Sequence, residues 1–295
     1  MIDRRYANTP HGQVHYRITG DGDALVLLGP AGRSAAMYDP LAALLADQFR
    51  VVSIDMLGHG SSDPLPEGAT IDMLAATVVG VLDAEGIAQA HVYGLHTGNK
   101  IAAALSARWS TRVNRAVLCG QSHSLIPDSA TRNATILGLV RDYFPESSAD
   151  SRARSLARWS QTFGRFATAW WPPEIFATAR PDEVTHAIRS RIVDDLLSMD
   201  AAATLYAANF AYDLAADLAR IRVPVLVIEI VTPEEDRKFG RQGARVLELV
   251  RHARLAIIEE RDGGFATLES RADELAHLLR EFCSVAADRN LCFRG

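Results

Sequence analysis

The sequence predicts an α/β protein with a mostly parallel central sheet flanked by helices. Three observations carry that reading. Apolar runs of strand length recur, helical stretches lie between them, and the alternation stops between about Gln121 and Arg220 before resuming. In chain order, Ala24–Leu28 reads as a short buried strand, Leu41–Asp47 as helix and Val51–Asp55 as strand. Ile71–Glu85 carries apolar residues at 71, 74, 75, 78, 79 and 82, the stripe of an amphipathic helix. His91–Gly94 is a strand, Asn99–Arg108 a helix and Arg115–Gly120 a strand again. After the interruption, Val223–Ile230 and Arg254–Glu259 are strands with helix Gln242–Val250 between them, and Asp273–Phe282 closes the pattern as an amphipathic helix. The core is expected over 1–120 and 221–283, a helical lid over 121–220, and a patternless tail over 284–295.

The interrupting segment is helical in composition and rich in aromatics, among them Tyr143, Trp159 and Trp170. Those rings read either as the core of a helical subdomain or as the inner face of a lid over an apolar pocket. The Trp170-Trp171-Pro172-Pro173 run marks a corner, because a residue before proline is pushed out of the helical region.

Composition excludes several classes. The 295 residues carry 31 basic and 36 acidic side chains, a net charge of −5, which removes the electrostatic case for nucleic-acid binding. Only Lys100 and Lys238 are lysine. Cys119, Cys283 and Cys292 are too few and too scattered for a disulfide framework or a zinc site. The N-terminus lacks the apolar run of a signal peptide, and no stretch approaches the roughly 18 apolar residues of a membrane span. A soluble, cytoplasmic protein with a small-molecule substrate is expected, with no membrane, metal or organic cofactor implied. Homodimerisation is held open.

Gly94-Leu95-His96-Thr97-Gly98 follows a strand and opens a helix, which is the position and glycine spacing of a nucleophile elbow. Upstream, Asp55-Met56-Leu57-Gly58-His59-Gly60-Ser61-Ser62 has the form D-x-x-G-x-G-x-S. Downstream, Ile221–Ile228 and Ala253–Glu260 fit a penultimate and a last core strand. Taken in this order, these segments resemble the α/β-hydrolase superfamily over nearly the whole chain, and the interruption falls where that family inserts its lid. The resemblance implies an α/β-hydrolase fold.

It also implies chemistry that this chain does not carry in the usual form. The family acts through a serine, less often an aspartate or cysteine, at the elbow; here the residue is His96. Where the family has Gly-His-Phe after the last strand, this chain has Gly263-Gly264-Phe265, so Gly264 stands in place of the triad histidine. The loop of the triad acid holds Glu234, Glu235 and Asp236, with Glu229 just before it. Gly29-Pro30-Ala31-Gly32 stands where the family places its oxyanion loop; in the ungapped register Ala31 keeps the donating amide, while a one-residue slip would put Pro30 there, which has no N–H, and Thr97 follows the elbow residue. With neither hydroxyl nor imidazole at its expected position, ordinary serine esterase activity is not expected.

Histidine is among the few non-glycine residues enriched at positive φ. At a helix N-terminus the macrodipole disfavours a cation, so a neutral imidazole is expected for His96. Such a ring can accept a proton, or donate its N–H to a carbonyl. His123 and Glu235 or Glu229 are its candidate partners, against the plainer readings of a lid-entry loop and a solvated acidic loop. Lys100, one turn past His96, is a candidate anion stabiliser, its plainer reading a surface position. Ala31, Thr97, Trp159, Trp170 and Tyr143 are candidate substrate contacts. The readings that follow are an atypical enzyme with His96 as acid/base on a small apolar carbonyl or ester compound, by hydrolysis or by lyase, isomerase or cyclase chemistry; a non-catalytic small-molecule-binding or interaction member; or a hydrolase with a relocated serine such as Ser61, Ser62 or Ser122.

Overall fold

Strands form where apolar residues run without alternation, because both faces of the sheet are covered. In Asp23–Leu28 the run Ala24-Leu25-Val26-Leu27-Leu28 sends Leu25 and Leu27 into one apolar layer and Ala24, Val26 and Leu28 into the other. The structure, a computed structural model, describes residues 1–120, 125, 128–143, 181–231, 241–259 and 271–284. Among these, the strands are β1 (Asp3–Thr9), β2 (Gly12–Thr19), β3 (Asp23–Leu28), β4 (Phe49–Ile54), β5 (Ala90–Leu95), β6 (Val113–Cys119), β7 (Val225–Val231) and β8 (Ala253–Glu259). The helices are α1 (Asp39–Leu45), α2 (Ile71–Ala84), α3 (Thr97–Arg108), α4 (Ser129–Tyr143), α5 (Pro181–Ser198), α6 (Ala202–Ala211), α7 (Leu214–Leu218), α8 (Gly243–Leu249) and α9 (Ala272–Ser284).

The sheet order is β1-β2-β4-β3-β5-β6-β7-β8, antiparallel at β1/β2 and β2/β4 and parallel elsewhere. From β3 the chain moves to β4 on one side, then returns to β5 on the other. The strand order reverses here, and at such a switch point α/β sheets commonly bind ligands beyond the carboxyl ends of the strands.

One apolar layer holds α2 and α3 against the sheet, and the other holds α1 and α9. Helix α2 starts where Thr70 Oγ1 accepts from the Met73 amide at 3.1 Å, a cap contributing about 1 kcal/mol. It buries Ile71, Leu74, Ala75, Val78, Val81 and Leu82, while Val79 is only half-buried. Helix α9 buries Leu275, Leu279 and Phe282 on one face. Fully burying each leucine or phenylalanine contributes roughly 1.5–3 kcal/mol.

The β1–β2 hairpin is absent from the sequence reading. In β1 only Ala7 is buried, so no apolar run or alternation marks it. Its turn, Pro10-His11, leads into Gly12 at φ 138°. Between β6 and β7 the described residues form α4 to α7. The Trp170–Pro173 corner and the tail from residue 285 lie outside the described residues.

Candidate active site

Strand β5 ends at Leu95, α3 begins at Thr97, and His96 makes the turn between them at φ 50° and ψ −103°. Both flanking glycines are required by close approach. A Cβ on Gly94 would lie 2.1 Å from the Gly98 carbonyl oxygen, and one on Gly98 would lie 2.2 Å from that of Leu28. The space gained lets the turn be pinned on two sides. The His96 amide donates to the Cys119 carbonyl at 3.1 Å, and the Gly98 amide donates to the Gly29 carbonyl at 3.1 Å.

The His96 ring packs over the end of β6, where Gly120 sits at φ 83°. A Cβ there would come within 2.8 Å of Nδ1. Burial, and then the nearby Lys100 ammonium, push the His96 pKa down to about 4. The imidazole is therefore neutral at pH 7. Removal from water is the larger of the two causes.

The loop after β3 is shaped by the D-x-x-G-x-G-x-S turn. The Gly32 amide donates to His59 Nε2 at 3.0 Å, and His59 Nδ1 donates to the Leu57 carbonyl at 3.2 Å. That pair of bonds fixes the tautomer, and burial lowers the His59 pKa. Asp55 holds the turn itself. Its carboxylate meets His15 Nδ1 at 2.7 Å and accepts from the amides of Ala35 and Ser61. Gly60 is obligatory beside it, since a Cβ would lie 2.0 Å from Asp55 Oδ2. Ser62 Oγ donates to the Asp55 carbonyl and accepts from the His15 amide, both at 2.8 Å, so its hydroxyl is committed to the turn. From the inserted helices, Asp194 of α5 pairs with Arg33 at 3.0 Å, and the α-carbon of Gly32 faces Asp195 and Arg191. Burial raises the Asp195 pKa.

Ala31 is half-buried on this loop and Thr97 is buried at the start of α3. Among the described residues, neither of their amides meets an acceptor. The Gly98–Gly29 bond joins the two segments that carry them. Paired amide donors of this kind can stabilise an oxyanion.

Glu229, near the end of β7, accepts from the amides of Gln242 at 2.6 Å and Gly243 at 2.9 Å, with Arg241 3.8 Å away. Its carboxylate thus binds the first amides of α8, and among the described residues it makes no bond to His96. His123, Glu235, Trp159 and Trp170 lie outside the described residues, as do Glu234, Asp236, Ser122, Gly264 and the side chain of Tyr143.

Lys100 departs from its plainer reading as a surface residue: it is buried, and its ammonium donates to the Asn209 carbonyl on α6 at 2.8 Å. Sequence reasoning also missed Asn209, whose Nδ2 donates to Thr97 Oγ1 at 3.0 Å, and Asn99, whose Nδ2 donates to the Cys119 carbonyl at 3.2 Å. The only signal in the sequence was the placement of Asn99 and Lys100 in the first turn after the elbow. Among the described residues no group of three or more His, Cys, Asp or Glu side chains is arranged to hold a metal ion, and no helix is long and apolar enough to cross a membrane.

A mostly parallel sheet carrying a strand–turn–helix elbow at positive φ, stapled to an amide-bearing loop after β3, defines a hydrolase-type α/β fold. The sequence comparison agrees, for the model of the alpha/beta hydrolase family matches residues 25–278, and the chain belongs to that family. A 2-hydroxy-6-oxononadienedioate/2-hydroxy-6-oxononatrienedioate hydrolase of Paraburkholderia phymatum is 35% identical over 152 residues, covering 47% of this chain and 53% of that one. The match thus spans about half the length of that curated relative. Among solved structures, a hydrolase from Pseudomonas aeruginosa superposes with a TM-score of 0.71 at 23% identity, over 95% of this chain and 98% of that one. An enol-lactonase from Burkholderia xenovorans superposes with a TM-score of 0.69 at 24% identity, over 95% of this chain and 100% of that one. At these identities the superpositions speak to the fold alone.

Proposed function

We propose that this chain is an enzyme in which neutral His96 serves as acid/base toward a small, largely apolar substrate bearing a carbonyl or ester. The hydrolases among its relatives are consistent with that chemistry. One observation carries the reading: a non-glycine side chain is held at φ 50° where the family places its nucleophile, with its imidazole kept uncharged. Backbone strain of this kind costs about 1–3 kcal/mol and persists where the surroundings enforce it. In the hydrolytic form, His96 takes a proton from water as the water oxygen bonds to the carbonyl carbon. The carbonyl electron pair moves onto oxygen, which the Ala31 and Thr97 amides are free to receive. The intermediate collapses by breaking the bond to the leaving alcohol, and the imidazolium returns the proton to it. No acyl-enzyme forms. A base with so low a pKa is weak, so its contribution falls at the lower end of the ~10²–10⁴-fold typical of general base catalysis.

His96→Ala tests this. Proton release from a panel of small esters, lactones and β-dicarbonyl compounds is followed for both proteins. Turnover is expected to vanish in the variant while its Tm stays within a few degrees, and full retained activity refutes the assignment. In the wild type the rate falls as pH drops through about 4, where the ring takes its proton. The absence of both serine at 96 and histidine at 264 favours a second reading, a binding protein without turnover. A ligand that raises Tm and is never consumed identifies that case.

A further inference from the structure

Lys100 lies one helical turn beyond His96, and among the described residues its ammonium has one hydrogen-bond acceptor and one ring face. The residue is 4% exposed. Nζ donates to the Asn209 carbonyl at 2.8 Å and stands 5.6 Å from the centroid of the Phe210 ring. Among the described residues no carboxylate meets it. An ammonium has three protons to donate, and the Asn209 bond takes one. A carbonyl dipole and a π face are weak compensation for a cation drawn out of water.

The charges around it add to the imbalance. Among the described residues, those facing Lys100 are His96 on its own helix, Arg132 on α4, and Asn209 and Phe210 on α6. Each is neutral or cationic at pH 7. Burial, and then repulsion from the Arg132 guanidinium, lower the Lys100 pKa to about 8. Lys100 in turn depresses His96, so its charge is felt at the elbow ring. If packing alone were required, an apolar side chain of similar volume would fill this position without the desolvation cost.

We propose that Lys100 anchors an anion subsite beside the elbow, on the α6 side, which takes the carboxylate of a substrate whose reacting carbonyl or ester faces His96. The two ammonium protons that no described residue accepts are the donors, and the bound carboxylate supplies a counter-charge that no described residue provides. This rests on the His96 reading only for where the reacting group lies; capture of the carboxylate needs no turnover. It narrows the substrate class from neutral carbonyl compounds to acids that also carry a carbonyl or ester.

Calorimetric titration of the full chain with benzoate, phenylacetate and adipate, against the methyl esters of the same acids, tests the subsite. The acids are expected to bind about tenfold or more tightly than their esters at pH 7, and Lys100→Met to weaken the acids by about 30-fold or more. Lys100→Arg, which keeps the charge, retains the preference for acids. Affinity for the acids falls as pH rises past about 8, where the free ammonium is lost, while affinity for the esters stays flat. Failure of the acids to outbind their esters overturns the subsite, and so does a preference that survives Lys100→Met. The same titration on His96→Ala separates the two proposals. A preference for acids kept in that variant supports the subsite whatever becomes of turnover, and turnover that depends on His96 without any such preference removes the subsite alone.

Discussion

Replacing His91 by leucine isolates one buried imidazole from the rest of the acid response. His91 is 5% exposed on β5, with the Phe49 ring edge-on at 6.1 Å and 84°, and among the described residues its Nδ1 has no hydrogen-bond partner. Burial, and then repulsion from Arg115, push its pKa to about 4, against a weaker opposing pull from Asp23. In the unfolded chain the ring titrates near 6.5. Between those values the unfolded state binds more protons than the folded state. Stability is therefore complete above the unfolded value and is lost as pH falls from about 6.5 towards 4. A gap of about 2.5 pH units corresponds to about 3 kcal/mol when fully developed, of which about 2 kcal/mol is expressed at pH 5. His59 and His96 shift in the same direction, so the wild type loses more than this. Leucine keeps apolar volume against Phe49 and removes the proton site. Urea unfolding of both proteins at about pH 7.5 and about pH 5 gives the comparison, with the variant expected to gain about 2 kcal/mol on the wild type between the two conditions. Equal losses in both proteins refute the reasoning.

Gly98→Ala drives a Cβ to 2.2 Å from the Leu28 carbonyl oxygen, so backbone must part and the elbow with it. Turnover on the panel above is expected to vanish with a clear fall in Tm. The control Gly138→Ala, in α4 with nothing within 4 Å, is expected to hold or raise Tm, by about 0.5–1 kcal/mol of stability. Asp55→Ala strands His15 Nδ1 and the amides of Ala35 and Ser61, and is expected to cost about 3–5 kcal/mol. For 295 residues that is a fall in Tm of roughly 5–8 °C by calorimetry, and a change within a degree or so would refute the role given to Asp55.

What could be read in the sequence was what steric exclusion writes locally. Gly94, Gly98 and Gly60 are glycines because a Cβ has nowhere to go, and their spacing therefore located the elbow and the turn before any coordinates. Continuous apolar runs such as that of β3 announced strands covered on both faces. The β1 strand was invisible because one buried alanine makes no pattern. The site beyond the elbow was harder, since it is assembled from distant segments. Nothing near Lys100 in the sequence says that α6, about a hundred residues later, will cover its side chain, or that Asn209 will bond both Thr97 and Lys100. Glu229 reads as a free acid in a carboxylate-rich stretch, yet its oxygen is held by the first amides of α8.

The close approach of the His96 ring to Gly120 bears on which side chains position 96 can hold. An imidazole is far bulkier than a hydroxymethyl group, and the hollow at the end of β6 is moulded to it. Serine at 96 would therefore leave a void beside Gly120. A smaller side chain at 96 therefore needs a compensating change beside Gly120, so the shape of this corner favours keeping the imidazole.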